Sequence, residues 1–119
     1  MAIQLLDAAR NEIPVKFTQF SGGERHVQID EKTLNSLSGN VLVRAQMTSS
    51  HDVMDYLLLE NILLNQGLTV DLEIPYFPYA RQDRICAVGQ AFSLDVMTKL
   101  LNINADKKAG KQGKITVWD

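Results

Sequence analysis

Cys86 is the only cysteine in the chain, so neither an internal disulfide nor a cysteine-based zinc site can form within it. A reduced thiol is the expectation there. Proline is nearly as scarce, with three in 119 residues, and two of those, Pro75 and Pro78, lie close together. Aromatic residues make up only 7%, and no low-complexity tract or internal repeat is present. An excess of charge is missing too: the formal net charge is −2, so the chain as a whole exerts little pull on nucleic acid or an anionic membrane, and neither is an expected partner. No apolar run approaches membrane-spanning length. Residues 1–10 have neither the charged start nor the apolar stretch of a signal peptide. The expected setting is therefore the cytoplasm. What the chain does have is 45% hydrophobic residues over 119 positions, enough for one domain with a substantial core and little room for a second.

Charge is unevenly spread. From Arg81 onward Arg81, Arg84, Lys99, Lys107, Lys108, Lys111 and Lys114 face only Asp83, Asp95, Asp106 and Asp119. A mildly basic back half can be plain solvated surface, or it can serve an anionic small molecule.

Alternation of apolar and polar residues marks a short strand at Val15–Phe20 and another at Arg25–Asp30, joined by "SGGE", whose glycine pair suits a tight turn. The compact apolar run "NVLVRAQ" behind Gly39 reads as a buried strand. A helix follows, with Ser49 or Ser50 as cap and Asp52 and Asp55 at its positive end, stopping at Gly67. Its apolar residues cover more than one stripe, which predicts burial on two sides, one against the sheet and one against something else, which could be a second subunit. Leu68–Phe77 alternates as a strand, and Phe92–Asn104 forms a second helix with Ser93 as cap and Leu94, Met97, Leu100 and Leu101 inward. "ADKKAGKQG" is a polar loop before a last strand beginning at "KITVWD". This rhythm predicts a mostly parallel α/β sheet with a short antiparallel N-terminal piece appended to its edge. Ligands in such folds bind beyond the carboxyl ends of the strands.

"PYFPYARQDR", Pro75–Arg84, begins where one predicted strand ends. Arg81 and Arg84 could clamp phosphate oxygens, and Gln82 could meet both donor and acceptor on a heterocycle edge. Pro75 and Pro78 would stiffen the approach. The same residues would also suit a surface turn in which Asp83 pairs with a neighbouring arginine. No glycine-rich phosphate loop of either common type is present. "SGGE" alone reads as a turn, and the lysine-rich "DKKAGKQGK" lacks the aromatics that single-stranded nucleic acid requires. His26 and His51 have no metal-ligand spacing and no nucleophile partner, so they read as a strand residue and a helix-entry residue; no metal site is expected.

Taken together, these segments resemble one family. "PYFPYARQDR" is similar to the signature of the ribose-phosphate pyrophosphokinases, the phosphoribosyl pyrophosphate synthetases. "FSGGERHVQI" is similar to the family's Phe-x-Asp/Asn-Gly-Glu segment. "AQMTSSHDVMDYLLLENIL" resembles its Gln-Ser…Asn-Asp…Met-Glu-Leu-Leu loop and helix, and "FSLDVMTKLLNINAD" stands where the family carries Ile-Ser-Ala-Lys and a helix. The resemblance implies the N-terminal one of two related domains, spanning residues 1–119, in a three-layer fold of the phosphoribosyltransferase-like type. It implies transfer of a diphosphoryl group from Mg-ATP, with Mg2+, to ribose 5-phosphate in a homo-oligomer. By resemblance Arg81 contacts the nucleotide phosphates and Gln82 lies near adenine, with Asp83 and Arg84 as further phosphate-side residues. Phe20 and Glu24 correspond to residues that reach the adenine of a neighbouring subunit, Phe20 by stacking and Glu24 by hydrogen bonding.

Several positions depart from the pattern. Gly22 stands where the family has Asp or Asn, and "ICAVGQAF" after Arg84 carries no Lys or Arg where relatives have a basic loop. "ICAVGQAFSLDVM" and "TVWD" resemble a divergent branch encoded by some phages and plasmids. Asp119 corresponds to the aspartate of the family's Asp-Leu-His segment, whose histidine binds the metal-nucleotide. Without that histidine and a C-terminal domain, the expectation is that no complete catalytic set is present and that this chain alone does not catalyse the transfer. The alternative expectation is a non-catalytic assembly module related to synthetase-associated proteins.

Overall fold

The computed structural model describes residues 3–75, 93–104 and 113–117. Five strands form the main sheet: β1 (Ile3–Leu6), β2 (Glu12–Ile13), β5 (Asn40–Ala45), β6 (Thr69–Ile74) and β7 (Ile115–Val117), in the order β2-β1-β5-β6-β7. β5, β6 and β7 run parallel, and β1 is antiparallel to both β2 and β5. Two further strands, β3 (Lys16–Gln19) and β4 (Arg25–Gln28), pair antiparallel as a separate hairpin. The helices are α1 (Glu31–Ser36), α2 (Ser50–Asn65) and α3 (Ser93–Leu101).

The α/β expectation therefore holds, with one relocation. The β3–β4 hairpin is not an edge of the main sheet; the antiparallel addition to that sheet is β1 with β2. The hairpin is held instead by its inward face, where Val27 is 6% exposed, Ile29 just beyond β4 is 8% exposed, and both join the core.

Why α2 forms is plain from its start. The Ser49 hydroxyl accepts from the Asp52 amide at 3.3 Å, and the Asp52 carboxylate accepts from the Ser49 amide at 3.2 Å and the Thr48 amide at 2.9 Å. This capping box satisfies the amides on both sides of the helix start. At the other end Gly67 takes φ +83°, a conformation that costs glycine little. Between them Leu59 and Leu63 are wholly buried, each contributing about 2–3 kcal/mol by leaving water. The second covered side predicted for α2 has occupants within this chain: the hairpin on one flank and the exit of α3 on another. In α3, Met97 and Leu101 are buried and Leu100 is half-buried, as the pattern predicted. The predicted roles of Ser93 and Leu94 lie outside the described side chains.

A polar cluster is set into this core. The Tyr56 hydroxyl donates to Glu60 Oε2 at 2.8 Å, and Asn104 Nδ2 donates to Glu60 Oε1 at 3.0 Å and to the Leu57 carbonyl at 3.4 Å. Glu60 is 2% exposed. Asn104 follows α3, so Glu60 ties the end of one helix to the middle of another. Burial, followed by the nearby Glu60 carboxylate and its hydrogen bond, raises the Tyr56 phenol well above its ordinary value of 10.0.

The raised value fixes the sign of a pH effect. The folded state holds the phenolic proton more tightly than the unfolded state, so the contribution is intact below pH 10.0 and declines as pH rises beyond it. Tyr56 is expected to stay protonated in the folded protein where an ordinary tyrosine ionises, releasing its proton only with unfolding. A phenolate signal from Tyr56 near pH 10.0 in the folded protein, read from its ring carbon resonances, would contradict this.

Candidate functional site

The β3–β4 hairpin places the site residues that the structure describes. Its pairing sets Thr18 opposite His26 and Gln19 opposite Arg25. Beyond that pair the Phe20 amide donates to the Glu24 carbonyl at 2.8 Å, and the Gly23 amide donates to the Phe20 carbonyl at 2.9 Å. Gly23 sits at φ +94°, where a side chain would be strained. These bonds make Phe20 and Glu24 the two shoulders of the turn.

Strand alternation then sorts the side chains. Phe17, Arg25 and Val27 lie toward α2, whereas Phe20, Glu24 and His26 lie on the outer face and are exposed. The Phe20 and His26 rings meet with centroids 5.3 Å apart and planes inclined by 31°. On the inner face, Arg25 grips Asp55 of α2 with two parallel bonds, Nε to Oδ1 at 2.8 Å and Nη2 to Oδ2 at 2.7 Å. Asp55 is 5% exposed. Its hydrogen bond holds the Arg25 guanidinium above its ordinary value, so the arginine stays charged.

Asp55 was expected to complement the helix start. Asp52 does that alone, while Asp55, one turn further on, holds the hairpin. Because α2 begins just after β5, this grip anchors the hairpin near the carboxyl ends of the parallel strands. At the helix start the Ser49 and Asp52 amides are both taken up by the capping box.

Glu24 is exposed, and its carboxylate lies against Gly22 so closely that a Cβ at that position would collide with it. Glycine at this position therefore gives the Glu24 carboxylate a resting place across the turn. Arg81, Gln82, Asp83 and Arg84 lie outside the described residues, as do Cys86 and residues 105–112. His51 is an exposed residue in the first turn of α2. Among the described residues no group of three or more His, Cys, Asp or Glu side chains could hold a metal ion, and no helix is long and apolar enough to cross a membrane.

The structure thus sets Phe20 and Glu24 side by side at the turn and adds three residues to which the sequence reading gave no part in the site. His26 sits beside Phe20, and Arg25 with Asp55 fixes the hairpin behind them. The two-residue alternation around Val27 carried the signal for both Arg25 and His26: it puts one on the core side and the other outside.

Comparison with known proteins bears on the chain as a whole. The chain is 36% identical to ribose-phosphate pyrophosphokinase 1 of Streptococcus mutans over 83% of its length. It is 32% identical to ribose-phosphate pyrophosphokinase 2 of Enterococcus faecalis over 98% of its length. It is 30% identical to the ribose-phosphate pyrophosphokinase of Pyrococcus furiosus over 78% of its length. These matches span 29%, 35% and 33% of the relatives, so the chain covers about a third of their length. Among solved structures, phosphoribosylpyrophosphate synthetase from Mycobacterium smegmatis superposes with a TM-score of 0.65 at 20% identity, over 89% of this chain and 40% of that one. That likeness establishes the fold. No family profile matches the chain.

Proposed function

The chain is ribose-phosphate pyrophosphokinase-like over the third of those proteins that it spans, and from that premise we propose that it is the nucleotide-binding part of a ribose-phosphate diphosphokinase. In this reading the full enzyme moves diphosphate from Mg-ATP to ribose 5-phosphate, and Mg2+ arrives as part of the nucleotide substrate. The observation that carries the proposal is the hairpin tip: Phe20 half-exposed, Glu24 exposed beside it, and both held in place through the Arg25–Asp55 grip.

The chemistry of that tip suits a base. An exposed ring offers a stacking face that needs no particular sequence of donors, and a carboxylate accepts from an exocyclic amine. Arg81, with Asp83 and Arg84, supplies the phosphate side of a nucleotide, and Gln82 lies near its adenine. In a homo-oligomer the tip would reach the base bound by a neighbouring subunit, leaving each site shared by two chains. This chain alone then holds nucleotide without completing the transfer, because the charges that steady a migrating diphosphoryl group must all be in place at once.

Gly22 favours a second reading. A family carboxylate or amide is missing there, and Glu24 occupies the space instead, as would suit a related assembly module that keeps the fold without the reaction. The two readings separate on nucleotide affinity. In a calorimetric titration with Mg-ATP, Phe20→Ala is expected to weaken binding by about tenfold or more, the usual worth of a stacked base. Arg81→Ala is expected to abolish binding. Wild-type affinity in both variants would refute the nucleotide assignment and leave the assembly module.

A further inference from the structure

The outer face of the hairpin carries a third residue. An aromatic ring at a turn is normally free to swing about χ1 and χ2, and ordering it on ligand arrival costs affinity. At Phe20 a second ring stands where it can restrict that freedom. His26, two residues beyond Glu24 on the same outer face, lies against it at 5.3 Å between centroids, within the range of favourable aromatic contacts. The two rings come from opposite strands of the hairpin and are brought together by its register, in which Thr18 faces His26 and the Phe20 amide closes on Glu24. With His26 on one side of the ring, Phe20 is still 50% exposed.

We infer that His26 is a positioning residue of the nucleotide site: it backs the Phe20 ring and leaves the opposite ring face presented to a heterocyclic base. This rests on the reading of Phe20 as the base-stacking residue. The arrangement has three tiers, imidazole tilted by 31° against phenyl and then the base, in which only the last tier arrives with the ligand. The middle tier is already oriented, so its ordering cost is met during folding. Glu24 flanks the same face and supplies the directional hydrogen bond that stacking lacks. His26 is exposed, so its replacement leaves the core untouched.

The test compares this chain with Phe20→Ala, His26→Ala and His26→Tyr, titrating Mg-ATP and, separately, Mg-tripolyphosphate, which has no base. His26→Ala is expected to weaken Mg-ATP by about three- to tenfold, the usual worth of an aromatic pair. His26→Tyr, which can still stack on Phe20, is expected to restore wild-type affinity to within about twofold. Tripolyphosphate binding should be the same in all four proteins. The Phe20 ring proton resonances should move upfield on adding ATP to the wild type and to His26→Tyr. If Phe20→Ala weakens ATP while His26→Ala does not, the positioning role falls and the base-stacking reading stands. A His26→Ala defect that tyrosine fails to restore would also overturn the positioning role, because the contact would then depend on imidazole itself. If the wild type binds no ATP, or Phe20→Ala binds it normally, both fall together.

Discussion

Glu60→Ala is expected to destabilise the domain by about 3–5 kcal/mol, a large share of the stability of a chain this size. Glu60 is 2% exposed and accepts from the Tyr56 hydroxyl and the Asn104 amide. Alanine would leave both donors facing a void, each bearing a desolvation cost, and would add the loss of contacts around the cavity. In thermal unfolding the loss corresponds to roughly 10 °C or more. Glu60→Gln is the informative companion. It keeps the volume and one carbonyl acceptor for Tyr56, but turns a donor toward Asn104, so its cost should be about 1–2 kcal/mol. A Glu60→Ala protein less than about 1 kcal/mol weaker than wild type would mean that the cluster contributes little net stability.

Gly113→Ala is expected to cost about 2–4 kcal/mol, chiefly by forcing β7 away from β6. A Cβ on Gly113 would fall on the carbonyl of Val70, a backbone group of a central strand that cannot rotate aside. The neighbouring bonds show what must give way. The Leu72 amide donates to the Lys114 carbonyl and the Lys114 amide donates to Asp71 Oδ1, both at 2.8 Å. Hydrogen exchange at the Leu72 amide should therefore accelerate sharply in Gly113→Ala. Gly67→Ala makes a fair control, since nothing lies within 4 Å of a Cβ there and only its φ of +83° opposes the change. The control should lose about 1–2 kcal/mol and leave Leu72 exchange unaltered. Equal behaviour of the two variants would rule out the steric account.

These two positions mark the limits of what could be read from the chain as text. β3, β4, β5, α2 and β6 were legible because alternation, caps and terminal glycines act over a few neighbouring residues. β1 was not, since Ile3–Leu6 offers only Gln4 to break an apolar run, and Glu12–Ile13 is too short to show any period. α1 has six residues and no buried side chain, so it leaves no apolar stripe, although Asp30 caps it through the Thr33 amide at 3.4 Å. Glu60 looked like a polar residue on a mostly apolar helix; only the fold reveals that Asn104, 44 positions away, makes burial tolerable. The site divides the same way. Phe20 and Glu24 were visible through family likeness, whereas Arg25 and Asp55 are 30 residues apart, and no local pattern joins them.

That grip has a consequence for how such a protein can change over time. The hairpin forms its own two-stranded sheet, and its only side-chain ion pair to the body among the described residues is Arg25 with Asp55. Its inner face is committed to α2 and the core, whereas Phe20, Ser21, Glu24 and His26 face outward. Mutation at those outer positions is therefore nearly free of folding cost, while Arg25, Val27 and Asp55 stay under constraint. Recognition at the tip can drift, be retuned or be lost while the body of the domain stays the same.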